Sequence, residues 1–466
     1  MSGIGSVASR RASGRREGID LSAPQLLVGS FAALILTGTA GFLVLPGLWH
    51  GERASPIDAL FMATSAVCVT GLAVLDVSTR LTFFGQLWLL LLVQLGGLGI
   101  LTFAALAARA IGQRASLQVE EAVAGPASLV PSRSPMALVR AIVVITLVVE
   151  ACGAAVLWAL WRDDLGLAGA VWPAVFHAVS AFCNAGFSLF RDNLVAYAGD
   201  APVLLTVAGL IVVGGIGFPV LEDVRLRLAG RRRRLFVHTR LVLATTAVLV
   251  VGSSLLYLAL EWHRALAAFD APTRLAHALF LAITPRTAGF NAVDYDRLAN
   301  PSVLLTIALM WIGGAPASTA GGVKVTTAAL LFLVFVSKLR GRRDVVAGNR
   351  TLPDGTIQRA IGLAAGAVAL LVGAVFVLLW TEVDAAGAQV DRGLLIRLLF
   401  EAQSALGTVG LSMNQTTQLS PVGRLVIVGL MFAGRVGPLA LIEAMIIRAS
   451  RRSGGVRLAR EDVLVG

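Results

Sequence analysis

Eight apolar runs of membrane-span length alternate with polar segments along the chain. The first run of each pair covers residues 26–45, 137–160, 241–260 and 361–380, and the second covers residues 87–108, 201–221, 301–336 and 425–447. A run of about twenty apolar residues is long enough to cross a bilayer as a helix. The pattern therefore predicts four consecutive units, each of which begins and ends with a transmembrane helix.

A shorter segment that ends on a glycine lies between the two runs of each unit. The segments are FMATSAVCVTG ending at Gly71, FHAVSAFCNAG at Gly186, LFLAITPRTAG at Gly289 and FEAQSALGTVG at Gly410. Three share the pattern F-x-A-x-S-A-x-x-x-x-G, and the third keeps the length and the final glycine but has diverged. About a dozen helical residues reach only halfway across a bilayer. Each segment is therefore predicted to be a half-helix and a loop that returns to the side it came from.

A second feature follows each glycine, in the small-residue clusters LGGLG, VGGIG, IGGAP and AGRVG. The clusters, at Gly97, Gly215, Gly314 and Gly434, follow the first glycine of each unit at similar distances. Four units that share both features indicate a repeat architecture. The repeats run in parallel, which disfavours a carrier built from inverted repeats. Irregular backbone at membrane depth is tolerated where it lines a cavity or is buried in protein, so four such loops around one axis predict a pore.

Composition and charge support a polytopic membrane protein. The 466 residues are 57% hydrophobic and 14% charged, with a mean hydropathy of +0.81. Most of the 39 Lys and Arg residues lie in the segments 1–20, 109–140, 222–240, 338–359 and 448–460. Because basic loops stay in the cytoplasm, we expect both termini there and the half-helices entering from outside. Topology also explains the net charge of +12 without nucleic acid as a partner.

The sequence offers little support for chemistry other than transport. Its three cysteines and five histidines form no disulfide framework and no metal-ligand spacing. It contains no nucleophile–base constellation and no phosphate loop, so we expect neither an enzyme nor a covalent cofactor. Four acids follow the glycine segments, where they either concentrate cations or are ordinary solvated residues: Asp76, Asp192, Asp294 and Asp296.

The loops VCVTGL, FCNAGFS, TPRTAGFN and ALGTVGLS resemble the filter loops of the Trk/Ktr/HKT cation-transporter superfamily. The resemblance covers residues 21–447 and implies an all-α polytopic fold of four fused outer helix–pore helix–filter loop–inner helix repeats around one pore. It implies eight transmembrane helices and four re-entrant half-helices. Filter carbonyls replace the water shell of an ion, and glycine reaches the necessary backbone angles freely. The implied K⁺ site comprises Val69, Thr70, Gly71, Asn184, Ala185, Gly186, Thr287, Ala288, Gly289, Thr408, Val409 and Gly410.

The resemblance also implies a function and partners. With room for one span before Gly71, the chain is most similar to Ktr-type membrane subunits, which take up K⁺ across the bacterial plasma membrane. Such subunits form homodimers and dock on a cytoplasmic RCK-type ring, a KtrA-like partner that binds ATP or ADP, so the nucleotide is not expected on this chain. Glycine in all four loops favours K⁺, with Na⁺ as a further transported or activating ion. A Na⁺-permeable or weakly selective transporter of the same family remains the alternative.

The second run of the third unit is interrupted by WIGGAPASTAGGVKVTT, and residues 301–336 are longer than one span requires. An unwound insert explains the extra length, and a tightly packed kink is the alternative. By resemblance, the insert is an intramembrane loop that closes the pore below the filter. The implied gate residues are Gly313, Gly314, Ala315, Pro316, Ala317, Ser318, Thr319, Ala320, Gly321, Gly322, Lys324 and Arg435.

Two cationic side chains lie within apolar runs. An arginine at the centre of a span costs about 2.5–3.5 kcal/mol on insertion scales and normally marks function. Arg435 is expected to face the pore below the filter and to pair with the gate loop, or else to form a structural pair with an acid such as Glu443. Lys324 either contributes to the gate or has no functional role. In the second case its long side chain, near a helix end, simply extends its amine to the membrane interface.

These observations predict a linear organisation of the chain. Residues 1–20 are a cytoplasmic tail, 21–108 repeat 1, 109–136 a cytoplasmic linker, 137–228 repeat 2 and 229–340 repeat 3 with the gate loop. Residues 341–359 are a second cytoplasmic linker, 360–450 repeat 4 and 451–466 a cytoplasmic C-terminal tail.

Overall fold

A computed structural model describes residues 23–110, 135–231, 234–342, 344–347, 350–386 and 392–437. These residues are mostly helical, and the predicted all-α polytopic fold is confirmed. The predicted tails 1–20 and 451–466 lie outside the described residues, as does most of the linker 109–136. The predicted repeat boundaries stay predictions, and the helices below are grouped by repeat.

Each repeat opens with a long apolar helix, here called the outer helix. The outer helices span Ala23–Val44, Pro135–Leu165, Val237–Glu261 and Asp354–Ala386. Within the described ranges, all four contain stretches long and apolar enough to cross a membrane. Large apolar side chains such as Val248 and Phe376 are exposed on them, as expected for surfaces that face lipid.

A short helix follows each outer helix. The short helices span Pro56–Val67, Val171–Phe182, Ala271–Ile283 and Arg392–Gly407. The first begins where the Ser55 hydroxyl accepts the Asp58 amide at 3.2 Å and Pro56 supplies the pre-set φ of a first helical residue. Its 12 residues are too short to cross a bilayer, as the sequence predicts.

The last helix of each repeat, here called the inner helix, differs from one repeat to the next. It is continuous over Phe83–Ala110 in repeat 1 and over Pro421–Val436 in the described part of repeat 4. In repeat 2 it consists of Ala201–Gly215 and Phe218–Leu228, which meet at 98°. The predicted single span over 201–221 is therefore wrong. Gly217 turns the chain with φ 93°, and Pro219 lies in the first turn of the helix that follows.

The inner helix of repeat 3 is also broken, and here the sequence predicts the break. Asn300–Met310 and Val325–Leu339 are separated by residues 311–324, here called the bridging loop. A hydrogen bond from Gly313 N to Val323 O, 2.8 Å long, brings the two ends of the loop together. The predicted unwound insert is confirmed, and two of the four inner helices are interrupted within the described residues.

Several smaller elements lie between these helices. They are a helical turn at Val77–Arg80, 3₁₀ turns at Val195–Tyr197, Tyr295–Arg297 and Thr416–Gln418, and an antiparallel hairpin of Val346–Ala347 and Arg350–Thr351.

Hydrogen bonds between neighbouring repeats close the four into a ring. Trp172 Nε1 donates to Gln86 Oε1 at 2.7 Å, Leu194 N to Asn291 O at 2.9 Å, Asn414 Nδ2 to Asp296 Oδ2 at 2.9 Å, and Arg424 Nη1 to Asp58 Oδ1 at 2.5 Å. The last contact joins repeat 4 to repeat 1. The core crosses the same boundaries, since Phe400 of repeat 4 packs 5.6 Å from Tyr295 of repeat 3 between ring centres.

Two buried glutamates attach outer to inner helices in repeats 3 and 4. Glu261, at the end of its outer helix, accepts the Ala299 amide at 3.0 Å and the hydroxyl of Ser302. Glu382 accepts the amide and hydroxyl of Ser420 at 3.0 and 2.6 Å. A carboxylate at a helix N-terminus satisfies free amides and interacts favourably with the helix dipole. These contacts fix where each inner helix begins.

Candidate functional site

The backbone of each predicted filter loop turns left-handed twice. The glycines Gly71, Gly186, Gly289 and Gly410 have φ of 96°, 68°, 75° and 96°. The residues two positions earlier, Val69, Asn184, Thr287 and Thr408, have φ of 54°, 60°, 69° and 50° although they carry side chains. Such backbone costs about 1–3 kcal/mol per residue and clusters at functional sites. All four loops therefore share one strained conformation.

The four glycines form a closed ring. A methyl group built on Gly71 would lie 2.4 Å from Ala185 O, on Gly186 2.9 Å from Ala288 O, on Gly289 2.3 Å from Val409 O, and on Gly410 2.1 Å from Thr70 O. The glycine of each repeat thus lies against a carbonyl of the following repeat, from the residue just before that repeat's own glycine. The glycine of repeat 4 lies against repeat 1 in the same way. No side chain fits at these positions, for reasons of space as well as of φ.

The structure brings together all twelve predicted filter residues. They are buried except for Gly71 and Gly410, which are partly exposed. Among the described residues, no cluster of three or more His, Cys, Asp or Glu side chains could hold a metal.

Four hydroxyl groups support the loops from the short helices, a role that the sequence reasoning missed. Ser65 and Ser404 accept the amides of Gly71 and Gly410 at 3.1 and 3.0 Å. Ser180 and Thr284 instead donate to the carbonyls of Phe187 and Phe290, each one residue after its glycine, at 2.8 and 2.5 Å. The serine shared by three of the four segments was the available signal.

Repeat 3 departs from the others by one residue. Thr284 makes the bond that Ser180 makes in repeat 2, but it lies five residues before its glycine whereas the serines lie six before theirs. The third segment is therefore one residue shorter between hydroxyl and glycine, and its interpretation as a segment of unchanged length is wrong. The proline after Thr284 accompanies this shortening.

Glycines of the inner helices pack against the ends of the short helices. A methyl on Gly96, Gly214 or Gly434 would lie 2.0, 1.9 or 2.0 Å from the carbonyl oxygen four residues before the filter glycine, which belongs to Val67, Phe182 or Leu406. The structural counterparts of Gly434 are thus Gly96 and Gly214. The sequence alone aligns Gly434 with Gly97, Gly215 and Gly314. Gly97 and Gly215 each lie one residue after the true counterpart, and Gly314 lies in the bridging loop.

The bridging loop packs against the filter loops and the ends of the short helices. Its amides at Ala315 and Gly322 donate to Gly215 O at 2.9 Å and to Gly434 O at 3.3 Å, on the inner helices of repeats 2 and 4. The Thr319 hydroxyl donates to Phe182 O at 3.0 Å, at the end of a short helix. Gly321 is pressed against Thr408, because a methyl there would lie 2.0 Å from Thr408 Oγ1. The predicted gate segment 313–322 therefore contacts repeat 2 at one end and repeat 4 at the other.

Cationic side chains bind three successive carbonyls of this loop. Arg435, which is 3% exposed, donates through Nη1 to Thr319 O and through Nη2 to Gly96 O at 2.6 Å. Lys324 Nζ donates to Ala320 O at 2.7 Å and to Gly321 O at 3.2 Å. Arg435 thus binds the loop from repeat 4, and Lys324 binds carbonyls of the loop to which it belongs. In the part of the chain that the structure describes, no carboxylate forms an ion pair with Arg435, and Glu443 lies outside that part.

The outer-loop acids have mostly local contacts. Asp76 accepts the amide and hydroxyl of Ser78 at 2.8 and 2.6 Å and caps a helical turn. Asp294 pairs with Arg297 at 3.4 Å, and Asp192 is exposed. These contacts favour the ordinary structural role that the sequence left open, at least for Asp76.

Comparison with known proteins agrees with this geometry. Residues 30–453 match the family described as TrkH, cation transport protein. The chain is 35% identical to the potassium/sodium uptake protein NtpJ of Enterococcus hirae over 96% of this chain and 98% of that protein. It is 35% identical to the Ktr system potassium uptake protein B of Bacillus subtilis over 95% and 96%.

The fold also matches a solved structure. The crystal structure of the potassium transporter TrkH from Vibrio parahaemolyticus superposes with a TM-score of 0.71 at 19% identity, covering 92% of this chain and 86% of that one. The family match covers most of the chain, and two relatives match over nearly their whole length. The chain is therefore a multi-pass membrane protein that belongs to the TrkH family of cation transport proteins.

Proposed function

We propose that this protein takes up K⁺ across a bacterial plasma membrane through a channel-like pore whose filter is the ring of four glycine loops. The observation that carries the proposal is the closed succession of glycine against carbonyl around one axis, from Gly71 to Gly410 and back. Carbonyls so arranged can replace the water shell of a cation. The carbonyl ends of the four short helices approach the same axis and favour positive charge.

Potassium is the ion that the loops favour, since all four keep glycine and two relatives carry potassium uptake in their names. A weakly selective or Na⁺-permeable transporter is the second candidate, because one of those relatives is a potassium/sodium uptake protein. Flux into proteoliposomes, measured once with a K⁺ gradient and once with a Na⁺ gradient, distinguishes these two candidates. Flux of K⁺ well above that of Na⁺ supports the first, comparable fluxes support the second, and no flux of either ion contradicts both.

The bridging loop is proposed to be the gate. It packs against the filter loops, and the side chains of Arg435 and Lys324 bind its carbonyls of residues 319–321. These carbonyls could otherwise bind a passing cation, but they already accept hydrogen bonds from Arg435 and Lys324. The positive charges of both side chains also repel K⁺. The glycines at 313, 314, 321 and 322 disfavour a helix, which suits a segment that must move.

Regulation is proposed to come from a second protein. The helix Phe218–Leu228, which is the second part of the inner helix of repeat 2, lies at 98° to the first part. In the sequence it is followed by the basic residues 231–234. Glu222 binds Arg225 at 2.7 and 2.9 Å and raises the pKa of its guanidinium. We place this face in the cytoplasm on the positive-inside rule, together with both termini.

The partner that fits this face is an RCK-type ring that binds ATP or ADP, docked on a homodimer of this chain. The naming of relatives as parts of a Ktr system supports a further subunit. Co-purification with a candidate ring protein, with and without ATP and ADP, tests the proposal. A stable complex whose K⁺ flux responds to nucleotide supports it. A ring protein that neither co-elutes nor changes flux contradicts it.

A further inference from the structure

The stretch of chain that leaves the filter is tied to its short helix by a hydrogen-bonded pair of side chains in repeats 2 and 4, here called the supported loops. Repeats 1 and 3 lack this pair, although the Thr284 hydroxyl of repeat 3 binds the Phe290 carbonyl as Ser180 binds that of Phe187.

The position after the phenylalanine of the short-helix pattern is His177 in repeat 2 and Glu401 in repeat 4. The position two residues after the filter glycine is Ser188 or Ser412 in the same repeats. In each case the two side chains are hydrogen-bonded to one another.

In repeat 2, a buried histidine holds the serine. His177 Nδ1 donates to Pro173 O at 2.7 Å, so the neutral ring accepts the Ser188 hydroxyl at Nε2, 2.8 Å away. Phe190 stacks on the imidazole with ring centres 4.7 Å apart, and its amide donates to Ser188 Oγ at 3.0 Å. The ring is 0% exposed, so its orientation is fixed from all sides.

The same loop then returns to the filter itself. Asn193 Nδ2 donates to the carbonyl oxygen of Gly186 at 3.1 Å. Asn193 has φ 58°, a left-handed conformation that asparagine tolerates better than most residues. A carbonyl oxygen has two lone pairs, so this bond orients the Gly186 carbonyl while leaving one lone pair for a cation.

In repeat 4, a buried carboxylate takes the place of the histidine. Glu401 is 0% exposed and accepts the hydroxyl of Ser412 at 2.7 Å and that of Thr416. Ser412 Oγ in turn accepts the Gln415 amide at 3.2 Å. The segment that follows Gly410 is thereby tied to its short helix by a network that is closed within the repeat.

Repeats 1 and 3 lack this support. Their positions equivalent to the histidine and glutamate are Met62 and Leu281, with the latter placed by the one-residue shift at Thr284. Neither side chain can form a hydrogen bond that would fix the backbone. Because the ring order is 1–2–3–4, the two supported loops lie opposite each other, and so do the two unsupported ones.

We propose that His177–Ser188–Asn193 and Glu401–Ser412 are positioning residues that stiffen two opposite filter loops and thereby set cation selectivity. The proposal rests on the filter function proposed above. A smaller ion such as Na⁺ needs the carbonyls to move inward, and a hydrogen-bonded carbonyl resists that movement more than a free one. The field and flexibility of the coordinating carbonyls are what discriminate K⁺ from Na⁺ in such filters.

The test compares K⁺ and Na⁺ flux in proteoliposomes for Asn193→Gly and Glu401→Gln against the unmodified protein. Glycine keeps the positive φ at 193 and removes the amide, and glutamine removes an acceptor while keeping the shape. Each variant should lower the K⁺/Na⁺ flux ratio roughly two- to ten-fold, the range expected for one hydrogen bond. Met62→Leu and Leu281→Met at the equivalent apolar positions conserve volume and should leave the ratio unchanged.

The outcomes separate this proposal from the filter function. Unmodified protein that conducts but shows no preference between the ions contradicts K⁺ selection by the filter, on which this proposal rests. A selective unmodified protein with unchanged ratios in both folded variants overturns the positioning role alone. Where Glu401→Gln does not fold, Ser412→Ala tests the same network without altering the buried carboxylate, and Ser188→Ala does so in repeat 2.

Discussion

Arg435 binds Thr319 across 116 residues of sequence, and the same guanidinium also binds Gly96 on the inner helix of repeat 1. One side chain of repeat 4 therefore holds the bridging loop of repeat 3 against repeat 1. A charged donor between two backbone carbonyls forms hydrogen bonds worth about 1.5–3 kcal/mol each. This link therefore helps to fix the position of the bridging loop.

Arg435→Ala should raise K⁺ flux in liposomes that contain no partner ring. The substitution removes both hydrogen bonds and a positive charge. Loss of even one such bond should lower the ratio of closed to open protein by roughly ten-fold or more. Arg435→Lys keeps the charge but cannot reach both carbonyls. Flux raised in both variants identifies the link as the cause, whereas flux raised only by alanine identifies the charge. Unchanged or lower flux in a folded alanine variant contradicts the gate.

Deletion of residues 315–320 should also raise ring-free flux. The ends of the bridging loop are already adjacent, since Gly313 N donates to Val323 O at 2.8 Å and a methyl on Gly313 would lie 2.3 Å from Gly321 O. The shortened loop can therefore close without pulling on the flanking helices. If the deleted protein melts normally, keeps K⁺ selectivity and conducts no more than the intact protein, the loop is a packed kink and not a gate.

Gly71→Ser should lower the ratio of K⁺ to Na⁺ flux. The new side chain would lie 2.4 Å from Ala185 O at a φ of 96°, so the loop must shift and its carbonyls with it. Gly429→Ser is the control, because Gly429 lies in the inner helix of repeat 4 with open space around it. Flux ratios from the two variants in the same liposomes decide the point, and an equal ratio in both would remove the special role of Gly71.

Gly96→Ala should destabilise the protein without a specific effect on selectivity. Its methyl would lie 2.0 Å from Val67 O, and overpacking of this kind costs about 1–3 kcal/mol. Gly209→Ala meets nothing within 4 Å and should be neutral or stabilising by up to about 1 kcal/mol. Thermal unfolding in detergent measures both, and equal melting temperatures would show that Gly96 is not a close-packing position.

The parts of the site that repeat could be predicted from the sequence. Four segments that each end on a glycine between two apolar runs identify one another, and the extra length of residues 301–336 indicates the unwound insert. Features present in one repeat had no second copy to support them. The bend at Gly217 breaks an apolar run that looks like an ordinary span, because a single glycine before Phe218–Pro219 is too weak a signal against so hydrophobic a context.

Contacts that depend on three-dimensional placement were also out of reach. The sequence suggests that Arg435 is functional, but only the fold shows that Gly96 and Thr319 supply its acceptors. The one-residue shortening at Thr284 escaped for a different reason. The final glycine fixed the alignment at one end. The match of Phe280, Ala282 and Thr284 to the shared F-x-A-x-S pattern, one residue further along and with threonine for serine, was therefore overlooked.

The ion pair between Asp58 and Arg424 has a consequence for the order in which the protein is made. The contacts between repeats 1 and 2, 2 and 3, and 3 and 4 can form in turn as the chain is synthesised, but this one joins residues 366 apart. Gly410 and Arg424 must both be inserted before the ring can close against Thr70 and Asp58. A ribosome that stalls before repeat 4 therefore leaves three-quarters of a ring, without the fourth loop or its link back to the first. Such a fragment lacks Gly410 and Arg424, so neither the glycine ring nor its outer contact at Asp58 can close until the fourth repeat has been inserted.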